Sequence, residues 1–447
     1  MGELLKELTD QIKELKNQVA QSNARIDELE QRLKEKHEKE TVATLPTSPQ
    51  TPQTATTHAQ SSQIADKIED SKPVVTAGDT KRSFKIPGTN TSLGIGGYVK
   101  LDTLFSSTGM GEDTDGNQRL DVYEIPVTSL PSGDKNQVTF HAKETRFWIK
   151  SFTPSGLGDI NTHVEMDFFG SPKLYTYTPR LRHAYGTLGQ LLVGQTWTTF
   201  FNSLVLAETL DFGKTVGSPM ILRQPEIRWS QPFFIGELLM EWQFAAEAPN
   251  NYIWDLDNGS ITKISNSHYP DLITRFNFLP NWGGLSLAAM ARQISYTPAT
   301  LNQEISLWGG AVSLGGKINT FGADNIRFFL SYGNPLGRYG PNTLFADAAV
   351  DSAGNMNLIT AYSGMLSYQH WWNSTWHSNL VYGIAHADQP GFAATANSLG
   401  QSLHANLLWT PSEQTMIGIE YIYGMRELVN GQNGDLNRIQ FSTRFSF

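Results

Sequence analysis

Leu436-Asn-Arg-Ile-Gln-Phe-Ser-Thr-Arg-Phe-Ser-Phe447, the last twelve residues of the chain, alternates without a break. In an extended segment Ile439, Phe441, Thr443, Phe445 and Phe447 share one face, and Arg438, Gln440, Ser442, Arg444 and Ser446 share the other. A strand with one greasy face and one cationic face suits a wall between hydrocarbon and water. A terminal Phe is also usual in outer-membrane barrels and gains weight from the alternation before it. The same period recurs in Ile417, Ile419, Tyr421 and Tyr423 against Glu420 and Arg426. It recurs again in Leu238, Met240, Trp242 and Phe244 against Glu241 and Gln243.

Working back from that strand, sixteen segments of roughly ten residues carry this signature, a length that crosses a bilayer when tilted. They are 94–105, 138–152, 158–170, 179–188, 189–197, 220–231, 236–249, 271–280, 282–297, 303–314, 325–334, 358–371, 374–387, 400–410, 414–425 and 436–447. Short connections at 153–157, 188–189, 232–235, 281, 372–373 and 411–413 alternate with long polar ones at 106–137, 198–219, 250–270, 335–357 and 388–399. Tight turns at one end and long loops at the other are the pattern of a transmembrane barrel, with both termini on the short-turn, periplasmic side. Trp282, Tyr368, Trp371, Trp372 and Trp376 gather near short turns, where an aromatic girdle belongs. A propeller would carry a repeat of about 40 residues, and none is found.

Composition narrows the alternatives. Apolar residues make up 39% of the chain, and no apolar run approaches the roughly 20 residues a spanning helix needs. Cysteine is absent, which removes disulfide scaffolds, thiolate metal sites and cysteine nucleophiles together. A net charge of -9 argues against nucleic acid as a partner. Gly94-Ile-Gly-Gly97 lacks the spacing of a dinucleotide loop, and P-loop, HExxH and GxSxG motifs are missing. The histidines are scattered without ligand spacing. No catalytic residue, metal or cofactor is expected.

Ahead of the strands lie two further regions. Leu5, Leu8, Ile12, Leu15, Val19, Ser22, Ile26, Leu29 and Leu33 step by threes and fours, an a/d seam that predicts a coiled-coil helix over 1–40. Ile and Val at inner a positions lean towards two strands, but Leu5, Leu33 and Ser22 weaken that preference, so the seam leaves oligomer number open. Residues 41–83, rich in Thr, Pro, Gln and Ser, read as a disordered linker, and 84–447 as the barrel. Met1 runs straight into the charged helix, which reads either as a cytoplasmic protein or as a processed form, and the strand pattern favours the second.

The polar strand faces supply the inward basic candidates Lys100, Arg146, Lys150, Arg180, Arg182, Arg228, Arg275, Arg292, Arg327, Arg438 and Arg444. Many of the acids fall in the long loops instead, so the wall is weighted towards arginine although the whole chain is acidic. Charge in a partly desolvated pore attracts counter-ions strongly, and arginine grips carboxylate with two parallel donors. Passive, anion-preferring diffusion is therefore expected, against the alternative that these arginines only pair with neighbouring acids. The connection 198–219 is unusually apolar, with Phe200, Phe201, Leu204, Val205, Leu206, Leu210 and Phe212. Such a loop is expected to fold inward and narrow the lumen, presenting Glu208, Asp211 and Lys214.

Four segments carry a family resemblance: Thr145-Arg-Phe-Trp-Ile-Lys150, Leu181-Arg-His-Ala-Tyr-Gly186, Leu192-Val-Gly-Gln-Thr-Trp197 and Arg223-Gln-Pro-Glu-Ile-Arg-Trp229. With the heptads and the linker, they make the whole chain resemble the DcaP-like porins of Gram-negative outer membranes. The resemblance implies a sixteen-stranded homotrimeric channel with a periplasmic coiled coil, set among lipid and lipopolysaccharide and passing dicarboxylic acids and similar anions. It carries Arg146, Arg180, Arg182, Arg223 and Arg228 over as candidate pore arginines. Arg223 and Arg228 have opposite strand parity, so one of them needs a bulge or loop position, which Pro225 makes plausible. Two other readings are a phosphate-selective pore, for which Lys214 is the loop's one lysine, and a structural tether between envelope layers.

Overall fold

The structure is a computed structural model that describes residues 76–110, 114–127, 135–213, 215–218, 222–255, 259–264, 267–298, 303–340 and 344–447. The heptad helix, the linker up to residue 75 and Lys214 lie outside the described residues. The first wall strands are β1 (Ser92–Thr108), β2 (Lys135–His141, resumed as Arg146–Thr153), β3 (Ile160–Asp167), β4 (Arg180–Leu188), β5 (Leu191–Trp197), β6 (Arg223–Ile235), β7 (Leu238–Glu247) and β8 (Asp271–Leu279). The second half comprises β9 (Gly283–Tyr296), β10 (Ile305–Asn319), β11 (Asn325–Asn334), β12 (Thr360–Trp371), β13 (Trp376–Asp388), β14 (Asn397–Ser412), β15 (Thr415–Leu428) and β16 (Asn433–Ser446). Each pairs antiparallel with its chain neighbours, and β16 pairs back onto β1, with Arg444 opposite Lys100 and Arg438 opposite Ser106. Sixteen strands close the ring. Closure removes the free edge that an open sheet would present to lipid.

The alternation read from sequence is the alternation of the wall. In β1, Ile95, Val99, Leu101 and Phe105 are exposed on the outside, while Lys100, Asp102 and Ser106 are buried on the inside. An exposed apolar band of this extent is stable only against lipid. Trp376 and Trp409 stack near the short-turn end at 5.8 Å, and Tyr269 and Trp308 meet near the long-loop end at 5.4 Å.

The strand β2 is broken at 142–145, where Thr145 N–H bonds back to Ala142 O at 3.0 Å. Both of its pieces still pair with β1. An interruption of this kind re-aims side chains, and here it affects Lys143 and Glu144.

Turn geometry corrects one expected boundary. The strand β6 runs through Ile235, and the turn falls at Gly236, whose φ of +62° suits a tight reversal that Pro232 does not offer. The long connections read from sequence as polar loops over 250–270 and 335–357 run over 248–270 and 335–359 and contain a small four-stranded sheet of their own. Asn251–Asp255 pairs with Ser260–Ile264 and with Ala348–Val350, which pairs with Met356–Leu358. Ile253, Ile294, Ala348, Val350 and Met356 form its apolar centre. A short strand, Ser83–Lys85, pairs with the start of β1, straddling the expected boundary between linker and barrel.

Candidate functional site

Residues 198–218 leave β5 and bond to side chains on the inner face of much of the ring. Arg275 on β8 donates to Thr199 O at 3.2 Å and also to Phe201 O. Ser313 on β10 donates to Phe200 O at 2.8 Å, and Arg327 on β11 donates to Leu206 O. Glu208 accepts from Gln369 Nε2 on β12 at 2.9 Å and meets His377 Nε2 on β13 at 3.0 Å. Ser402 on β14 accepts from Val216 N–H at 2.8 Å, and Lys100 on β1 donates to Leu210 O at 2.7 Å. Glu420 on β15 forms the densest anchor, accepting from Leu210 N–H at 2.8 Å, Asp211 N–H at 3.2 Å and Asn406 Nδ2 at 2.9 Å. A carboxylate that receives two successive backbone N–H groups fixes the chain direction there.

The apolar side chains that looked anomalous for a loop are explained by this path. Phe200, Phe201, Val205 and Leu210 are all buried. Asn202 accepts from Leu204 N–H at 3.0 Å and starts a single helical turn, Ser203–Val205. Asp211 is fully buried and accepts from Leu120 N–H at 2.8 Å, joining this loop to 114–127. Burial, opposed by the Leu120 hydrogen bond among other contacts, pushes the Asp211 carboxyl above the usual range.

Beside the loop lies a cavity of about 270 Å³, lined among others by Tyr98, Lys100, Glu144, Arg146, Arg182, Trp197, Glu208, Phe212 and Arg444. The arginines expected at the pore fall into three kinds of seat. Some sit on carboxylates: Arg180 on Asp167 at 2.7 Å, Arg182 on Glu165 at 2.6 Å and Asp167 at 2.8 Å, and Arg228 on Glu226 at 3.2 Å. Arg146 reaches Glu165 more loosely at 3.4 Å. Arg292 is the extreme case, 0% exposed between Asp271 at 3.1 Å and Asp347 at 2.8 Å.

A second set sits on backbone carbonyls and holds loops. Arg275 and Arg327 hold 198–218, while Arg438 donates to Gly116 O at 2.6 Å.

The third kind of seat is aromatic, and sequence reading missed it. Arg146 and Arg444 lie over the ring of Tyr98 at 5.1 and 5.5 Å. Arg182 and Arg223 share Trp197 at 5.8 and 4.9 Å, and Arg180 and Arg182 share Phe212 at 5.4 and 5.6 Å. Lys150 rests on Trp148 at 4.7 Å. The signal available was Tyr98 and Trp148, aromatic residues on the inner parity of their strands; Trp197, the last residue of β5, has the parity of the outward Val193 and gave none. Arg223 resolves the parity conflict by being the first residue of β6, from where it reaches Trp197; Arg228 keeps inner parity. The Nη1 of Arg223 is buried without a hydrogen-bond partner among the described residues.

A ring of sixteen strands crossed by an inner loop is common to several porin families, so family membership rests on sequence. The model of the DcaP outer membrane protein family matches residues 85–447. The chain belongs to the DcaP outer membrane protein family. As a DcaP-family protein it is an outer-membrane β-barrel channel, a porin and not an enzyme. Among solved structures it is similar to the outer membrane channel DcaP of Acinetobacter baumannii, with 21% identity and a TM-score of 0.69 over 83% of this chain and 100% of that one. Salmonella typhi OmpF, solved with daunomycin, shares 10% identity and a TM-score of 0.53 over 80% of this chain and 98% of its own. A porin of Comamonas acidovorans described as anion-selective shares 11% identity and a TM-score of 0.52 over 80% of this chain and 100% of its own. No curated protein sequence matches this DcaP-family chain significantly.

Proposed function

We propose that this porin passes small anions, dicarboxylates among them, through a lumen narrowed by residues 198–219 and lined on one side by arginine. The observation that carries the proposal is how the guanidinium groups are seated. An aromatic face holds a cation through its quadrupole without cancelling its charge, whereas a carboxylate neutralises it. Around Trp197 and Phe212, the ion pairs that Arg146, Arg180 and Arg182 make go to Glu165 and Asp167, while Arg223 sits on the Trp197 ring. Glu144, which also lines the cavity, is tied to Lys100, so guanidinium groups outnumber the carboxylates that hold them in a partly desolvated channel and act on a passing carboxylate with little screening. The buried Nη1 of Arg223 is a donor ready for such a group.

Across the same cavity stands Glu208, held by Gln369 and His377. Opposed charges on two sides of one opening orient a dipolar or charged solute as it passes. Within this reading Arg146, Arg180, Arg182, Arg223 and Arg444 select solutes, with Lys150 beyond them. Arg275, Arg292, Arg327 and Arg438 hold loops, while Arg228 trims the local field. Asp211 is an anchor, and Lys214 adds a loop cation.

The Comamonas porin's described anion selectivity is in keeping with this reading. We further propose, on the family resemblance, a homotrimer in lipid and lipopolysaccharide, with 1–40 as a periplasmic coiled coil and 41–83 as its linker.

Single-channel recording with succinate tests the proposal. Succinate added to the bath is expected to produce resolvable current interruptions that become rarer in Arg223→Gln. Indifference of the current to succinate over the millimolar range contradicts it.

A further inference from the structure

A second cavity, of about 460 Å³, opens at the short-turn end of the barrel, and its floor and roof come from different parts of the chain. The floor is the inner face of β2, β3 and β4. Trp148, Lys150, His163 and Tyr185 line it there, opposite in parity to the outward Phe147, Ile149 and Val164. The roof is the segment Thr80-Lys81-Arg82, which leads into Ser83–Lys85.

That segment is tied down at several points. Gly78 N–H bonds Ser83 O at 2.9 Å, Lys85 N–H bonds Thr76 O at 2.9 Å, and Asp79 N–H bonds Ser92 Oγ at 2.9 Å. Arg82 is held at a φ of +59°, a conformation an L side chain adopts only when its surroundings impose it.

The lining has one sign of charge. Lys81, Arg82 and Lys150 contribute cations, His163 adds an imidazole, and no carboxylate is among the lining residues. The acids that reach these groups do so from outside the cavity. Glu413 pairs with Arg82 at 3.2 Å with both side chains largely in solvent, and Glu165 stands 3.7 Å from His163 while bound to Arg182. An exposed pair of this kind neutralises little.

Flat apolar surface lies beside the cations. Tyr185 and His163 meet edge to face at 5.5 Å, and Trp148 carries the Lys150 ammonium at 4.7 Å. His163 stacks on His183 at 5.5 Å, and His183 meets Trp197 at 5.0 Å. An unbroken run of rings thus leads from the arginine wall to this cavity.

We infer that the cavity is a second anion-binding site of the channel, at its periplasmic mouth, for a carboxylate or sulfonate carried on a flat apolar body. The volume is of the size that holds a small organic ligand. Lys81 and Arg82 clamp the charged group, and the apolar body lies against Tyr185 and Trp148. The inference rests on the anion-channel reading and deepens it: a solute leaving the arginine wall is taken up again before release. It also gives the N-terminal segment a part in permeation, since two of the site's cations precede the first wall strand.

The test uses the full chain in planar bilayers, with 2-naphthoate added to one side at a time and acetate as the small comparison anion. Naphthoate is expected to interrupt the current at lower concentration from the short-turn side than from the loop side, with acetate ineffective from either. Lys81→Ser combined with Arg82→Ser is expected to raise the blocking concentration about tenfold from the short-turn side. The charge-reversed pair, Lys81→Glu with Arg82→Glu, is expected to abolish sided block. Both variants are surface changes, and their thermal unfolding in detergent, followed by β-sheet circular dichroism, reports an intact barrel. Equal block from the two sides, or unchanged block in both variants, overturns the site while leaving the anion-channel reading in place. Cation preference of the unsubstituted channel in a salt gradient, with sided block retained, overturns that reading and leaves the site.

Discussion

At the scale of single residues, the seat of each arginine decides what its loss does. Arg292 is enclosed with Asp271 and Asp347, and Asp347 also accepts from Tyr252 N–H at 2.9 Å and Arg338 N–H at 3.0 Å. Removing the guanidinium strands two buried carboxylates, which costs about 3–5 kcal/mol where such pairs have been broken. Arg292→Ala is therefore expected to lower the thermal unfolding temperature in detergent markedly. Arg223→Gln, which leaves no acid behind, is expected to change unfolding little and to lower the anion-to-cation permeability ratio instead. Equal effects of the two substitutions on stability contradict the division of roles. This division was not legible in the sequence. Alternation places Arg444 and Arg292 in one class and leaves Arg223 on the other parity, because strand parity reports the side of the wall and says nothing of which acid or ring lies across the ladder.

At the scale of elements, the inner loop and the loop 114–127 carry the account. Glu420 holds Leu210 and Asp211 by their N–H groups, so Glu420→Ala is expected to free residues 206–212 and increase both unitary conductance and current noise. An unchanged open-channel current contradicts the anchoring role.

The neighbouring loop carries a pH dependence. Burial, reinforced by Glu124, Asp115 and Asp211 and opposed by Arg119, pushes the Asp121 carboxyl up to about 7 from an ordinary 3.8. A group that holds its proton more tightly when folded stabilises the folded loop fully below pH 4, and that contribution fades as pH rises towards 7. Amide exchange over residues 115–124, corrected for its intrinsic rate, is thus expected to be faster at pH 8 than at pH 5. Asp121→Asn is expected to narrow the difference; exchange that slows with rising pH contradicts the assignment.

The inner loop's apolar character was readable from Phe200, Phe201 and Leu210, since water does not tolerate such a run. The small sheet built from Asn251–Asp255 and Ala348–Val350 was not, because its strands are short and one pairing joins residues nearly a hundred positions apart. Local periodicity carries no trace of a partner that distant.

At the scale of the whole molecule, one physical rule accounts for the barrel. Apolar side chains face lipid, polar ones face the interior, and closure of β16 on β1 leaves no edge. That architecture was largely legible, since a period of two over sixteen segments has few other solutions. The whole chain carries a net charge of -9, yet arginines gather on the wall around Trp197. Permeation answers to the charge beside the path, because charges more than about 8–10 Å from it are screened at physiological salt.

For the same reason a chain beginning at residue 76, which keeps Lys81 and Arg82, is expected to conduct with the selectivity of the full chain. A changed permeability ratio after removal of the heptad region contradicts a channel set by the barrel alone.

The most direct measurement of the central claim is the reversal potential of the purified full-length channel in a potassium chloride gradient. The sign of a chloride-preferring pore is expected, with the magnitude falling in Arg182→Gln and Arg223→Gln. A reversal potential of potassium-selective sign contradicts it.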